Sequence, residues 1–246
     1  MFNFFFRKKR DTSFFPFTTD MHSHIIPGID DGAPNVEASV ELIKGLMSVG
    51  VTQSVATPHI ISDLYRNNPE TIAHALNLLR DELFKQGIDF QVRAAAEYML
   101  DGYFFELLKS NQKLLTINGN AVLTEFSYAL MPDRPSQFSF ELSLAGYKPV
   151  LAHPERYPYY FNDFSMYHQL VEMGFRLQLN LLSLTGYYGK QPMKAAKYIL
   201  KNNLYSYLGT DIHHPRHLHS LINPVNRAIF KEHLSVHTFE NSDIFN

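Results

Sequence analysis

The strongest constraint on the fold is the regular alternation of short apolar runs with amphipathic stretches along the chain. In the amphipathic stretches, such as residues 35–49 and 69–86, apolar residues recur at helical spacing. Strands that alternate with helices pair in parallel through right-handed crossovers. The pattern therefore predicts an α/β fold with a closed or nearly closed barrel, and an open doubly wound sheet is the alternative. The predicted strands are residues 17–22, 51–56, 88–95, 121–126, 149–152, 175–180 and 204–208.

The same pattern predicts the domain organisation. The predicted elements begin at residue 17, and the last predicted helix covers residues 218–233. We therefore expect a single domain over residues 17–246, because a chain of 246 residues is long enough for one barrel. Residues 1–16 are a Phe-rich and basic tail. This tail is either mobile or packed on the domain, or it inserts Phe2, Phe4, Phe5 and Phe6 at a membrane surface while Arg7–Arg10 meet anionic lipid. No apolar run approaches the ~20 residues of a membrane-spanning helix, and no secretory signal is expected.

Nearly every predicted strand ends in a histidine or an acidic residue. In parallel α/β barrels the carboxyl ends of the strands form one rim, where the active site lies. Residues two apart in an extended segment point the same way, so His22 and His24 can reach one ion. A carboxylate such as Glu97 can bridge two ions through its two oxygens. The residues at the strand ends are His22, His24, His59, Glu97, Glu125, His153, Glu155, Asn180, Asp211 and His213.

Composition limits the chemistry at this rim. The chain has 12 histidines and no cysteine, which excludes disulfides, thiolate metal sites and every cysteine nucleophile. Imidazole and carboxylate without thiolate suit zinc, manganese or iron. Neighbouring ions of this kind form a clamp for phosphoryl transfer. The absence of cysteine is compatible with a cytoplasmic location, and the net charge of -2 disfavours a nucleic-acid partner.

Two arginines follow predicted ligands at short range. Arg156 comes three residues after His153, and Arg216 comes three residues after His213. A guanidinium group matches phosphate oxygens in two-point contact, so both are candidates to bind a substrate phosphate. A surface salt bridge is the alternative for each.

Six motifs in order carry a family resemblance. The chain resembles the PHP (polymerase and histidinol phosphatase) superfamily and, more narrowly, the bacterial manganese-dependent protein-tyrosine phosphatases of capsule and exopolysaccharide operons. Asp31 stands where many PHP enzymes have a histidine, which favours the tyrosine-phosphatase branch. The motifs are HSHIIPGIDDG at 22–32, ATPH at 56–59, AAEY at 95–98, TEFS at 124–127, LAHPERY at 151–157 and GTDIHH at 209–214.

The resemblance implies a distorted (β/α)7 TIM-like barrel of the PHP type that binds three divalent ions. Manganese is the expected metal, with iron or zinc as alternatives, and Arg156 and Arg216 fall at phosphate-contacting positions. The implied ligands are His22, His24, Glu97 and Asp211 for the first ion, Glu97, Glu125 and His153 for the second, and Asp31, His59 and His213 for the third.

The function that the resemblance implies is hydrolysis of phosphotyrosine by a metal-bound hydroxide, without a covalent phosphoenzyme. The expected substrate is the tyrosine-rich tail of a tyrosine autokinase that controls polysaccharide synthesis or export. One alternative is a small-molecule phosphoesterase of the PHP type, such as a histidinol-phosphate phosphatase, and another is a metal-binding interaction module without turnover. The tyrosines after the fifth and sixth predicted strands either stack on the substrate ring or pack the rim; they are Tyr157, Tyr159, Tyr160, Tyr187 and Tyr188.

Overall fold

The computed structural model describes residues 15–110 and 112–245. Apart from Phe15 and Pro16, the predicted tail of residues 1–16 lies outside the described residues. Its predicted membrane contact, through Phe2, Phe4, Phe5, Phe6 and Arg7–Arg10, lies outside them too. Among the described residues, no helix has the length and apolar content needed to cross a bilayer.

The described chain alternates strands with helices, as the pattern predicts. The strands are β1 (Thr19–Asp20), β2 (Gln53–Ala56), β3 (His59–Ile60), β4 (Gln91–Ala94), β5 (Glu97–Met99), β6 (Ala121–Glu125), β7 (Lys148–Ala152), β8 (Arg176–Asn180) and β9 (Tyr205–Gly209). The α-helices are α1 (Val36–Ser48), α2 (Pro69–Lys85), α3 (Gly102–Lys109), α4 (Pro135–Leu144), α5 (Met166–Glu172), α6 (Lys190–Lys201), α7 (Pro215–Ile222) and α8 (Pro224–Leu234).

The strands form two parallel sheets. One sheet has the order β1-β2-β4, and the other has the order β3-β5-β6-β7-β8-β9. Two of the seven predicted strands, 51–56 and 88–95, are each followed by a further short strand that was not predicted, after breaks at residues 57–58 and 95–96. Pro58 lacks the N–H that a continuous ladder needs at the first break. Main-chain bonds continue the pairing across the breaks, from Ala95 N to Ala56 O (2.8 Å) and from Glu97 N to Pro58 O (3.1 Å).

The main chain after β9 pairs with the main chain after β1. The N–H of Asp211 donates to the carbonyl of His22 (2.8 Å), and the N–H of His24 donates to the carbonyl of Ile212 (2.9 Å). On its other side this first segment meets the chain after β2, where Thr57 N donates to Ser23 O (2.8 Å). The first two predicted metal ligands therefore lie between the carboxyl ends of β2 and β9.

Alternating strand residues face two separate apolar clusters. Val122 and Leu151 belong to the larger cluster, which the strands share with the helices. Leu123 and Val150 belong to a smaller cluster on the opposite face. In α1, Val40, Ile43 and Leu46 are buried, and each contributes about 1.5–3 kcal/mol through removal of its side chain from water.

The predicted helix over residues 218–233 is wrong as a single element, because the structure has two helices there, α7 and α8. Asn223 takes an extended conformation (ψ 126°) and its side chain caps Val225 N. A proline disfavours helical geometry in the preceding residue, so Pro224 ends α7 and begins α8.

Candidate metal centre

A cavity of about 290 Å³ lies at the carboxyl ends of the strands. All nine predicted metal ligands belong to groups whose ligand atoms lie within 4.8 Å of one another, and seven of the nine line this cavity. The groups are His22, His24 and Asp211; His22, Glu97 and His153; His59, Glu97 and Glu125; and His24, Asp31, His59 and His213.

Glu97 is the centre of this cluster. Its Oε2 lies 3.2 Å from His22 Nε2, 3.3 Å from His24 Nε2 and 3.3 Å from His59 Nδ1. Its Oε1 lies 3.1 Å from His153 Nε2. The two oxygens of one buried carboxylate therefore face four imidazole nitrogens, which is the arrangement expected of a carboxylate that bridges cations.

Asp211 is the second carboxylate that faces the paired histidines. Its Oδ1 lies 3.3 Å from His22 Nε2, 3.4 Å from His24 Nε2 and 3.4 Å from His213 Nδ1. The two Nε2 atoms of His22 and His24 are themselves only 3.3 Å apart. A cation shared with the carboxylates would relieve this close approach of two like nitrogens.

The outer part of the cluster opens to solvent. Asp31 Oδ1 lies 3.5 Å from His59 Nε2 and 3.6 Å from His213 Nε2, and the Asp31 side chain is 52% exposed. On the inner side of His59, its Nδ1 lies 3.0 Å from Glu125 Oε1. His59 thus stands between the exposed carboxylate and the two buried ones, Glu125 and Glu97.

Hydrogen bonds orient four of the five clustered histidines. In each, one ring nitrogen, Nδ1, meets an oxygen atom and so leaves Nε2 toward the cluster. Such a partner fixes the tautomer and the ring orientation of a metal-binding histidine. The pairs are His22 with Gln178 (2.8 Å), His24 with Asp30 (2.8 Å), His153 with the Tyr128 hydroxyl (3.2 Å), and His213 with the main-chain oxygen of Asp211 (2.9 Å).

Two buried atoms of the cluster have no hydrogen-bond partner. They are His59 Nδ1 and Glu125 Oε1, which face each other without suitable hydrogen-bond angles. Buried polar atoms are rarely left unpaired, because this costs about 1–3 kcal/mol each. The orphaned atoms and the imidazole–carboxylate donor set fit divalent metal ions such as manganese, zinc or iron.

The electrostatics of the cluster reflect its packed opposite charges. Burial disfavours a charged His22, but the carboxylates of Glu97 and Asp211 outweigh burial and raise the pKa of His22 to about 9. Burial also opposes ionisation of Glu97, yet His22 and His59 hold its pKa well below the usual range. Burial lowers the pKa of His153 and His213 to about 4, whereas protons on His22 and His24 balance the carboxylates in the protein alone. Metal ions binding here compete with those protons.

The two candidate ligands His153 and Asp211 have left-handed backbones, with φ of 35° and 50°. Non-glycine residues seldom adopt this conformation, and it clusters at functional sites where the surroundings hold it in place. Asp211 is held by the main-chain bond from its N–H to His22 and by the Asn180 amide, which donates to Asp211 Oδ2 (3.0 Å).

A tight turn over residues 28–33 places both aspartates of the first motif. Gly28 N donates to Ala33 O (2.8 Å), and Ala33 N donates to His24 O (3.0 Å). A Cβ at Gly32 would lie 2.1 Å from His24 O, so only glycine permits this close return of the chain. The turn directs Asp30 inward to His24 and leaves Asp31 at the mouth of the cavity.

Arg156 reaches the cavity between two tyrosine rings. Its guanidinium carbon lies 4.2 Å from the centroid of the Tyr188 ring and 5.3 Å from that of Tyr128. One of its N–H groups donates to Asp211 Oδ2. These contacts fix the plane of the guanidinium beside the predicted ligands.

Arg216 is placed differently. It is exposed in the first turn of α7 and is not among the residues that line the cavity. Its contact with a phosphate stays a prediction.

The tyrosines near the rim divide into two kinds. Tyr157 and Tyr160 are fully buried, and the Tyr157 hydroxyl donates to Ala152 O (3.0 Å) and accepts from Phe126 N (2.9 Å). These two pack the structure. Tyr188 contacts Arg156, and Tyr187 is 38% exposed.

Sequence reasoning missed the residues that orient the histidines. Asp30 adjoins Asp31 in the same motif, and Gln178 lies two residues before Asn180 on the same face of β8, so each had a signal in the sequence. Tyr128 lies in a loop after β6, and no feature of the sequence indicates its contact with His153.

The chain is similar to a family of known proteins. Residues 18–238 match the CpsB/CapC family of capsular polysaccharide synthesis. The chain is 32% identical over 194 residues to the tyrosine-protein phosphatase YwqE of Bacillus subtilis, covering 79% of this chain and 76% of the relative. It is 29% identical over 200 residues to the tyrosine-protein phosphatase CpsB of Streptococcus agalactiae, covering 79% and 82%.

A solved structure is also similar. It comes from crystal structures of YwqE from Bacillus subtilis and CpsB from Streptococcus pneumoniae, described as metal-dependent tyrosine phosphatases. The TM-score is 0.74 at 29% identity, and the match covers 90% of this chain and 96% of the other. With the family model matching most of its length, this chain belongs to the CpsB/CapC family of capsular polysaccharide synthesis.

Proposed function

We propose that the protein is a metal-dependent phosphatase of phosphotyrosine in proteins. The observation that carries this proposal is the convergence of nine histidine, aspartate and glutamate side chains around Glu97, with Arg156 beside them. The relatives named as tyrosine-protein phosphatases support the same activity. The chain has no cysteine, so a thiolate nucleophile is excluded, and a water molecule activated at the metal centre would be the attacking group.

The metal content is part of the proposal. Three divalent ions would be held, manganese in preference to iron or zinc. His22, His24, Glu97 and Asp211 would bind the first ion, Glu97, Glu125 and His153 the second, and Asp31, His59 and His213 the third. When bound, the ions would withdraw charge from the phosphoryl group and make water a nucleophile at neutral pH.

Arg156 would bind the non-bridging phosphoryl oxygens. Tyr188 stacks on its guanidinium and Asp211 accepts one of its N–H groups, so the remaining donors are oriented before substrate binds. Pre-oriented donors stabilise the charge of a phosphoryl transition state without reorganisation. The leaving phenolate has a pKa near ~10, so it needs only modest protonation. Arg216 would be a further phosphate contact, approaching from α7.

We also propose that the two sheets close into one distorted (β/α)7 barrel of the PHP type. The bonds that continue β2 into β3 and β4 into β5, and the bonds between residues 211–212 and 22–24, support this arrangement. The smaller apolar cluster, which contains Leu123 and Val150, would be its interior. Residues 17–246 would be a single domain, and residues 1–16 a tail with peripheral membrane contact.

The proposed substrate is the tyrosine-rich tail of a tyrosine autokinase that controls polysaccharide synthesis or export, because the family itself belongs to capsular polysaccharide synthesis. The proposed location is the cytoplasm, where such a kinase finds ATP.

The test is a side-by-side assay of the manganese-loaded protein on a phosphotyrosyl peptide and on histidinol phosphate. Turnover of the peptide with little turnover of histidinol phosphate is expected. Selective hydrolysis of histidinol phosphate would instead identify a small-molecule phosphoesterase, and no turnover of either would favour a binding module.

A further inference from the structure

A short hairpin over residues 61–65 projects at the mouth of the metal-ligand cavity. Ile61 N donates to Tyr65 O (3.0 Å), and Tyr65 N donates to Ile61 O (2.9 Å). The chain just beyond it is anchored by buried Asn67, whose amide donates to the carbonyls of Ile29 (2.8 Å) and His59 (2.9 Å). The 61–65 hairpin is therefore held in one position relative to the predicted ligands.

The hairpin presents apolar surface to the cavity. Leu64 lies near its tip and is 72% exposed, although it lines the same cavity as the clustered histidines. Ile61 and Met99, both partly exposed, line the cavity with it. The Tyr65 ring stacks on the His59 ring, with centroids 5.6 Å apart and an interplanar angle of 13°. Metal ligands and phosphate need none of this apolar surface.

This surface lies apart from Arg156. The hairpin follows β3, and Arg156 follows β7, which is three positions further along the sheet order β3-β5-β6-β7. Glu97 of β5 and Glu125 of β6 lie between them. A phosphate bound near the carboxylates would have the guanidinium on one side and the apolar hairpin on the other.

We propose that the surface formed by Ile61, Leu64 and Met99 binds the phenyl ring of phosphotyrosine and thereby selects aryl over alkyl phosphates. This inference rests on the proposed phosphatase function. A ring that covers Leu64 removes apolar surface of both partners from water, whereas the short side chain of phosphoserine cannot cover it. Since Leu64 is largely exposed in the free protein, the fold does not need it, and a change there acts on binding rather than on stability.

The experiment measures binding of phenylphosphonate and methylphosphonate to the manganese-loaded protein by calorimetry. The two probes share the anionic group and differ in the ring. The wild type should bind phenylphosphonate more tightly, and Leu64→Ser should weaken phenylphosphonate by about tenfold and leave methylphosphonate unchanged. Leu144→Ser is the matched control, because Leu144 is also 72% exposed and lies on α4, outside the residues that line this cavity.

Equal loss of both probes, or no loss of phenylphosphonate, in Leu64→Ser would overturn the ring contact. Turnover of a phosphotyrosyl peptide by the wild type is measured in parallel. Absence of this turnover refutes the proposed function itself. Normal wild-type turnover combined with an unchanged preference of Leu64→Ser for phenylphosphonate refutes only the ring contact.

Discussion

The two ends of the strands use polar side chains in opposite ways. At the amino ends, side-chain amide and guanidinium groups bind main-chain carbonyls and join the C-terminal segment (residues 240–245) to the strands. The buried amide of Asn241 donates to Thr19 O (3.0 Å) and Leu208 O (2.7 Å) and accepts from Leu208 N (3.0 Å). At the carboxyl ends, four imidazoles crowd the single carboxylate of Glu97. Matched polar groups serve the fold, whereas the crowded ones are suited to bind a cation.

Residues with a strained backbone conformation also lie mainly at the carboxyl ends of the strands. Among the described residues, three non-glycine positions have positive φ, and two of them are the candidate ligands His153 and Asp211. The carboxyl ends thus carry strain at His153 and Asp211 and unpaired atoms at His59 and Glu125 that folding alone would not favour. Substitutions at the two ends should therefore have different consequences, one on activity and the other on stability.

The largest effect should follow Glu97→Gln. The substitution keeps the size of the side chain but removes the charge shared by four histidines, so we expect phosphotyrosyl-peptide turnover to fall at least ~1000-fold. Steady-state kinetics measure the loss, and circular dichroism should show a folded protein. Glu41→Gln on the exposed face of α1 is the control. Turnover within tenfold of the wild type would contradict the role of Glu97.

Arg156→Lys should have the next largest effect. Lysine cannot reproduce the planar fork that stacks on Tyr188, so we expect kcat/KM to fall about 100-fold. The matched variant is Arg176→Lys at the amino ends, where Arg176 forms a partly exposed pair with Glu240. We expect kcat/KM to be unchanged there. Equal losses of kcat/KM in the two variants would contradict the functional difference between the amino and carboxyl ends of the strands.

Asp30→Asn should weaken metal binding by about 10- to 100-fold, because the partner that orients His24 loses its charge. Burial opposes ionisation of Asp30, but His24 and the N–H of Gly32 lower the pKa of Asp30 to about 2, so the charge is present at neutral pH. Manganese titration of the chelator-treated protein measures the affinity, with exposed Asp89→Asn as control. An unchanged affinity would show that Asp30 does not act on the metal centre.

Asn241→Ala should lower the stability of the protein and leave its activity unchanged, which is the opposite of the effect expected for Glu97→Gln. The variant leaves buried main-chain groups of Leu208 and Thr19 unpaired, so we expect the free energy of unfolding to fall by about 2 kcal/mol. Below the melting range, kcat should stay at the wild-type value. Urea unfolding measures the loss of stability, and steady-state kinetics measure kcat. A variant with normal stability and reduced kcat would contradict the structural role of Asn241.

The sequence predicted the cluster well because its members follow a local rule, in which a polar residue comes at the end of an apolar strand. That rule placed His59, Glu97 and Glu125 at one edge without any knowledge of distances. It could not find Tyr128 or Leu64, because loop geometry alone brings these side chains to the cavity.

The error in the predicted helix over residues 218–233 has a simple physical source. The break between α7 and α8 arises at Pro224, where proline removes a main-chain donor and disfavours helical geometry in the preceding residue. Apolar periodicity continues through such positions, so a pattern of hydrophobic residues alone runs across the break. How the breaks after β2 and β4 are bridged by main-chain bonds, such as Ala95 N to Ala56 O, depends on neighbouring strands that are distant in sequence.

The claim that the cluster around Glu97 holds metal ions required for phosphotyrosine hydrolysis can be tested by a single titration. Manganese is added back to chelator-treated protein while bound metal and phosphotyrosyl-peptide turnover are measured on the same samples. We predict no turnover before addition and a rise that parallels manganese binding, with wild-type activity restored. Full turnover by the metal-free protein, or manganese binding that restores none, would contradict the claim.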